Sequence, residues 1–427
     1  MKRMEEIAAS LQGYDPQSLS VQQVNDFLFK LVQPVSMNEA QSVFLTEALG
    51  RVLAQDVISP IDVPAHNNSA MDGFAFDSNA LQSNQVIKLR VVGTALAGKP
   101  WQGKVNPGEC LKIMTGAVVP DGLDTIAPQE FCQIQDAHHT TTVSIPPKLI
   151  KAGDNRRLAG EDLKKGQPAL YAGQCLTPAA LGLIASLGLS SVLVHRRLRV
   201  AYFSTGDEVL SAGELAREGA IYDSNRYTIF GLLTRLGCEV IDLGVVRDDP
   251  ALLETAFSKA SKEADAIITS GGVSVGEADF TKAMMKKLGD VAFWKIAMRP
   301  GRPMAVGRLG KSILFGLPGN PVAVMVTFLA FVRPALLKMM GSTVQTTPLL
   351  RAKSLEPLRK KAGRTEYQRG FVSNATDGTL QVRTTGNQGS GVLSSMVQGN
   401  GLIVLHHTQG NVAIGEEVDV MMFDGVI

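Results

Sequence analysis

Between Leu198 and about Met340, short β-prone runs alternate with helical ones, and each strand is followed by a glycine-bearing or acidic loop. This rhythm limits the fold more than any other feature of the chain. Leu198–Phe203, Glu239–Val246, Ala266–Thr269 and Ser312–Phe315 read as strands, with helices at Asn225–Leu236, Pro250–Ser261, Phe280–Leu288 and Pro321–Met339. Strand–helix–strand units join by right-handed crossovers, so the segment predicts a mainly parallel sheet covered on both faces. Such a sheet binds ligands beyond the carboxyl ends of its strands, and the loops there are where chemistry is expected.

The remainder of the 427 residues has a different texture. Val21–Val32 places apolar residues at helical spacing, and residues 38–48 read as a second helix ending near Gly50. From Asp62 to about Ile150, short β-rich runs (Ile87–Val92, Cys110–Met114, Thr140–Ile145) are separated by Gly, Pro and Asn clusters. Helical character returns at Pro178–Leu187. After Gly341 the chain reverts to β-runs at Tyr367–Val372, Leu380–Arg383, Leu402–Leu405 and Val418–Phe423. The expected fold is multidomain α/β plus β: a discontinuous helical entry module (21–58 and 150–192), an inserted β-rich domain (59–149), a central α/β domain (193–341) and a C-terminal β-domain (342–427).

Composition narrows the function. Forty-two Lys and Arg against 40 Asp and Glu leave a charge of +2, far from the basic footprint of a nucleic-acid binder. Cys110, Cys132, Cys175 and Cys238 form no CxxC pair, and the six histidines, including His138-His139 and His406-His407, form no HExxH pattern. No GxSxG elbow is present. Met1–Ser20 carries Glu5 and Glu6 without the apolar core of a signal peptide, and no uninterrupted apolar run approaches the ~18 residues of a bilayer span. A cytoplasmic protein with no membrane and no nucleic-acid partner is expected.

Three strand-end loops stand out: Ser204–Glu208, Thr269–Asp279 and Phe315–Pro321. In the second, Gly271, Gly272 and Gly276 suit a nest of backbone N–H groups around a phosphate, although the same spacing fits an ordinary βα turn. Glu208, Asp248, Asp249 and Asp279 each follow an expected strand. Carboxylates near phosphates suit Mg²⁺, whereas each alone equally suits a solvated or capping role, Asp279 at the start of the next helix above all. Trp294–Pro303 sets Lys295, Arg299 and Arg302 beside two prolines and a glycine: a stiff cationic loop fit for an oxyanion, or a basic surface loop. In Gly316–Pro321 the prolines fix a turn and Pro321 can open a helix. The N-terminal half adds Ser69–Ala75, Met114–Gly122 and Asn155–Asp162, each of which spacing alone would make a turn.

Taken in order, SAMDGFA, MTGAVVPDG, RLAGED, STGDE, IYDSNR, SGGVSVGEADFTK, GLPGNPVAV, GRTEYQRG and QGSGVLSSM closely resemble the molybdopterin molybdenumtransferase family, the MoeA proteins and the E-domain of gephyrin, over about residues 20–427. The resemblance implies a four-domain, elongated homodimer. It implies an enzyme that takes adenylylated molybdopterin and molybdate, releases AMP and leaves molybdenum on the dithiolene sulfurs with the help of Mg²⁺ or a similar divalent ion. Residue by residue, it puts catalytic positions at Asp72, Thr115, Asp162, Glu208, Asp248, Asp279, Lys295, Arg299, Arg369 and Ser390. Pro318 and Pro321 are carried over as well, and substrate contacts are expected at Gly271, Gly272, Ser274, Gly276, Lys282, Arg302, Pro318, Gly319, Asn320 and Pro321.

Glu208, Asp248 and Asp279 are the candidates for holding the metal; Lys295 and Arg299 would attract molybdate and stabilise charge on phosphate oxygens. The family architecture implies that Asp72, Thr115 and Asp162 reach the cleft across the dimer interface. The chain departs from the family where Arg299 replaces a common lysine, and where Asn67 and His66 replace a common Asp and Phe. Transient contacts with the adenylyltransferase of the same pathway and with molybdoenzyme acceptors are implied too. Two alternatives share parts of the pattern: that adenylyltransferase itself, which has the same SGG-type loop, and a carrier or scaffold that binds molybdopterin without turnover.

Overall fold

The computed structural model describes residues 3–81, 85–137, 139–272, 280–343 and 346–425. They form two compact units, one of residues 1–55, 173–177 and 192–427 and the other of residues 56–172 and 178–191.

The larger unit is built on the expected α/β layer. Its elements are β1 (Arg199–Thr205), α1 (Ser224–Arg235), β2 (Glu239–Val246), α2 (Pro250–Glu263), β3 (Ala266–Ser270), α3 (Phe280–Leu288), β4 (Asp290–Lys295), β5 (Pro303–Leu309), β6 (Ser312–Leu317), α4 (Pro321–Thr327) and α5 (Arg333–Met339). The sheet runs β2-β1-β3-β6-β5-β4. The first four strands are parallel, with Val200, Ala266 and Ile313 in one row and Ala201, Ile267 and Leu314 in the next. Successive side chains alternate faces. Val200, Tyr202, Ile268 and Phe315 therefore meet Ile229 and Leu233 of α1 and Val322 and Val326 of α4, while Ala201, Phe203, Ile267 and Leu314 meet Leu253 and Phe257 of α2 and Met284 and Met285 of α3.

Two strands depart from expectation. β4 and β5 run antiparallel, and the segment read as a cationic loop is largely their connection. Gly310, at φ +57°, turns β5 into β6 through a two-residue hairpin with Lys311, which reverses the chain without a helix. The entry region differs as well. Residues 38–48 form no long helix but two 3₁₀ turns, Met37–Glu39 and Leu45–Glu47, around the strand Gln41–Phe44, because strand pairing overrides a weak helical spacing. The helix Val21–Leu31 does form, closed by a reciprocal Ser20/Gln23 capping box, and its Val24, Phe27, Leu28 and Leu31 join the core under α4. Phe27 meets Trp294 edge-on at 4.9 Å. The short helix Met4–Ala9 buries Met4 and Ile7 in the same core.

Pro321–Met339, in which a π turn joins α4 to α5, has the length and hydropathy of a membrane span, yet 72% of it is buried inside the protein, which makes it a core helix. Beyond it, β7 (Leu350–Ser354), β8 (Thr365–Asn374), β9 (Leu380–Thr384), β10 (Gly401–Leu405) and β11 (Glu417–Met422) close into a small barrel, since β8 pairs with both β9 and β10. The strand Met298–Arg299 lies parallel on β8 and ties the cationic segment to the barrel.

The smaller unit holds a six-stranded sheet ordered Thr125–Pro128, Gly73–Phe76, Glu109–Ile113, Ile87–Ala95, Thr140–Ile145, Gln133–Ala137, with Phe74, Leu89 and Val143 packed on one face and Leu111, Ile113 and Ile126 on the other. The helix Pro178–Ser186 belongs to the same unit.

Candidate active site

β2 and β3 flank β1 on opposite sides, so the chain reverses direction along the sheet at the carboxyl end of β1, where α/β sheets bind ligands. A cleft of about 750 Å³ opens there. At its floor the Tyr202 hydroxyl lies 2.7 Å from Ser204 Oγ and 2.6 Å from Ser270 Oγ, a buried hydroxyl cluster joining β1 to β3. Burial pushes the Tyr202 phenol up and keeps it neutral. Gly271 leaves β3 at φ +91°, and a Cβ there would lie 2.6 Å from the Thr205 carbonyl; glycine alone lets the turn lie this close to β1.

Four walls surround the floor. Glu208 lines the first, its backbone carbonyl accepting from Ile221 N at 2.9 Å where Val209–Leu210 pairs with Ile221–Tyr222. Tyr222, Asp223 and Asn225 continue that wall into α1. Arg299 to Pro303 form another, with Ile296 N donating to the Arg302 carbonyl at 2.7 Å. Gly301, at φ +91°, seats this turn against α4, where a Cβ would run into Thr327 Oγ1. Pro318 to Pro321 open α4, and Asn225 Nδ2 donates to the Gly319 carbonyl at 2.8 Å. Finally Gln388, Gly389 and Ser390 come from the barrel: Asn320 Nδ2 donates to Ser390 Oγ at 3.0 Å, and the Ser390 carbonyl accepts from Val322 N at 3.1 Å in the first turn of α4.

Of the expected site residues, Glu208, Gly271, Gly272, Arg299, Arg302, Pro318, Gly319, Asn320, Pro321 and Ser390 thus line one cleft. Ser274, Gly276 and Asp279 lie outside the described residues. Arg369 is 1% exposed and serves the cleft from behind: its Nη2 donates to the Gly389 carbonyl at 2.9 Å and the Asn387 carbonyl at 3.2 Å, and its Nε to Ser395 Oγ at 2.9 Å. Burial, reinforced by the nearby charge of Arg299, pushes this guanidinium down to about 10. Lys295, Asp248 and Lys282 are not among the lining residues. The backbone of Lys295 holds the N-terminal segment at Pro16 and Leu19, Asp248 N donates to Asp207 Oδ1 at 3.3 Å, and Lys282 Nζ stands 5.0 Å from the Phe293 ring centroid.

In the smaller unit, Asp72 Oδ1 accepts from both Thr115 N and Thr115 Oγ1 at 2.6 Å, which holds its carboxyl below the usual range. Asp162 N donates to the Val63 carbonyl at 3.0 Å.

Among the described residues no three acidic, His or Cys side chains converge as a metal cage. Glu208 is the described member of the expected set that lines the cleft. That donor chemistry fits Mg²⁺, which commonly takes one or two carboxylates and completes its shell with water and phosphate. Sequence reasoning missed Tyr222, Asp223 and Asn225 as site residues: the motif IYDSNR carries the signal, but their role as a wall depends on the parallel pairing of Ile221–Tyr222 with Val209–Leu210, which sets the motif beside Glu208.

The fold and the cleft define a class: an α/β protein whose strand-end cleft, faced by Arg299 and Arg302, is completed by a loop from a C-terminal barrel. Residues 19–188 match the MoeA N-terminal region (domain I and II), residues 201–338 the probable molybdopterin binding domain, and residues 351–423 the MoeA C-terminal region (domain IV). The chain is 44% identical over 384 residues to the molybdopterin molybdenumtransferase of Haemophilus influenzae, covering 90% of this chain and 94% of that one. It is 34% identical to that of Nostoc sp., covering 99% and 97%. The crystal structure of the molybdopterin biosynthesis moeA protein from Pyrococcus horikoshii OT3 superposes with a TM-score of 0.81 at 26% identity, covering 95% of this chain and all of that one. This chain belongs to the molybdopterin molybdenumtransferase (MoeA) family.

Proposed function

We propose that this protein is a transferase of molybdenum cofactor biosynthesis that inserts molybdate into adenylylated molybdopterin and releases AMP. The observation that carries the proposal is the meeting, in one cleft, of an acidic and glycine-rich wall with a fixed cationic one. Burial first and the charge of Arg299 second depress Arg369, so positive charge gathers where the cationic turn meets the barrel. Arg299 and Arg302 attract molybdate and stabilise charge on the phosphoanhydride oxygens. Gly271 and Gly272 bring backbone close to the phosphates, and Asn320 and Ser390, bonded to each other, offer polar contacts beside the Pro318–Pro321 turn. Arg369 positions the Gln388–Ser390 loop.

Glu208 would hold Mg²⁺, and the ion would supply Lewis-acid polarisation of the phosphoanhydride. Asp248, two residues past the end of β2, and Asp279 remain proposed members of that metal site, and Lys295 and Lys282 remain proposed cationic contacts. Gly276 and Ser274 belong to the same proposed phosphate loop.

The matches to the N-terminal, binding-domain and C-terminal regions support a four-part division at 21–58 with 150–192, 59–149, 193–341 and 342–427. We place the protein in the cytoplasm, where four free thiols suit a reducing milieu. It acts as a homodimer in which Asp72, Thr115 and Asp162 of one protomer complete the cleft of the other, with transient contacts to the adenylyltransferase and to molybdoenzyme acceptors.

The test is AMP release from adenylylated molybdopterin, with and without molybdate and Mg²⁺, alongside the molybdenum retained on the pterin. Release that requires both additions, with transfer of metal, is expected. Tight binding without release would replace the transferase by a carrier, and formation of adenylylated product from ATP would replace it by an adenylyltransferase.

A further inference from the structure

One wall of the cleft carries hydrogen-bonding capacity that molybdate and phosphate leave unused. Asp223 is 6% exposed and starts α1: its Oδ1 accepts from Arg226 N at 3.0 Å, while Oδ2 has no hydrogen-bond partner among the described residues. Two positions on, Asn225 donates through Nδ2 to the Gly319 carbonyl, and its Oδ1 likewise has no partner. A buried acceptor left unmatched is costly, more so on a carboxylate, and two of them on one wall of a ligand cleft call for donors from the ligand. Beside them Tyr222 is half exposed, its hydroxyl anchored on the Glu214 carbonyl at 2.8 Å. All three line the same cleft as Arg299 and Arg302, which are donors only.

We infer that Tyr222, Asp223 and Asn225 are the specificity wall for the pterin ring of the substrate, an inference that rests on the functional proposal above. Tyr222 packs on the face of the heterocycle, and Asp223 Oδ2 and Asn225 Oδ1 accept from its ring N–H and its 2-amino group. The 2-amino-4-oxopyrimidine edge of a pterin presents two adjacent donors. Adenine offers one exocyclic amino group flanked by acceptors, which leaves one of the two protein acceptors unmatched. A site built to hydrogen-bond one edge rejects an analogue that lacks it. With acceptors on one wall and guanidiniums on another, the substrate enters one way round, heterocycle toward α1 and anions toward the Arg299–Pro303 turn.

Asp223→Asn separates this role from the structural one. Asparagine caps a helix as well as aspartate does, whereas it can present an amino group where the unmatched oxygen stood. Calorimetric titrations of the full chain with molybdopterin and, separately, with AMP read the difference. Asp223→Asn is expected to weaken molybdopterin about ten-fold or more, with AMP affinity and melting midpoint unchanged. Tyr222→Leu is expected to weaken molybdopterin in the same selective way, and this exposed position carries the test alone if Asp223→Asn lowers the melting midpoint. Wild-type affinity for molybdopterin in both variants, or a loss confined to AMP, overturns the inference. A wild-type protein that does not bind molybdopterin overturns instead the functional proposal on which it rests.

Discussion

A partly buried charge contributes only what its partners return, as Asp265 illustrates. Burial pushes its carboxyl up, but Arg196, donating at 2.7 and 2.8 Å, and Arg199 N at 2.8 Å outweigh that and hold it below the usual range. A depressed carboxyl contributes stability that is present above its unfolded value, near 4, and disappears as pH falls through the folded value. Asp265→Asn should therefore cost about 2 kcal/mol at pH 7 and flatten the acid limb of the pH–stability curve, as read by urea unfolding at several pH values. An acid limb of unchanged slope would show that Asp265 does not shape it. Asp72 obeys the same sign for a different cause, since it is exposed and its carboxyl is lowered first by the Thr115 hydroxyl and then by the Thr115 amide. Thr115→Val removes the larger cause, so the Asp72 carboxyl should titrate higher by NMR while the remaining N–H bond still keeps it below an unbonded aspartate.

Turns, more than strands, aim the functional groups, and Gly301 gives the sharpest case. Its positive φ and its seat against Thr327 leave no room for a Cβ, so Gly301→Ala should cost about 2 kcal/mol and displace Arg299 and Arg302 from the cleft wall. Urea unfolding and molybdate binding should fall together; full molybdate affinity in a destabilised variant would detach the turn from the site. Arg369→Lys tests the support of the opposite wall, because a lysine cannot bridge the Asn387 and Gly389 carbonyls and Ser395 together as the guanidinium fork does. Faster amide exchange across 387–390 is expected, with the barrel strands unchanged. Of the parallel strands of the central sheet, β1, β3 and β6 were legible because, buried on both faces, they are nearly continuous apolar runs bounded by loops of distinct composition. β4 was not, because Asp290 and Lys295 bracket it and it flows into a cationic segment; the Gly310-Lys311 hairpin was the available sign that β5 and β6 turn back on each other. Residues 38–48 misled through spacing that pairing overrode. At the site, the strand-end loops could be read from glycines and carboxylates, whereas the burial of Arg369 behind the Gln388–Ser390 loop and the unmatched oxygen of Asp223 exist only once the barrel and the parallel pairing of Val209–Leu210 with Ile221–Tyr222 are in place.

Across the whole molecule, the nine motifs that pointed to the family are divided between the two compact units, with SAMDGFA, MTGAVVPDG and RLAGED in the smaller and the other six in the larger. That division makes the proposed homodimer testable by complementation. Asp162→Asn and Glu208→Gln each remove a charge at nearly constant volume, and each alone should abolish AMP release. If Asp162 of one protomer serves the cleft of the other, a mixed dimer concentrates both defects in one site and leaves the other site intact. If both residues serve the cleft of their own protomer, every site in the mixture carries one defect. After unfolding and refolding of equal amounts of the two variants, half the dimers are mixed and one site in two within them is whole, so activity should return to about a quarter of wild type. Inactive mixtures whose mixed dimers are verified by differential tagging would place Asp162 in the cleft of its own protomer or outside the site. Recovery near a quarter would establish that the functional unit is two chains and that the smaller unit of each belongs to the chemistry of its partner.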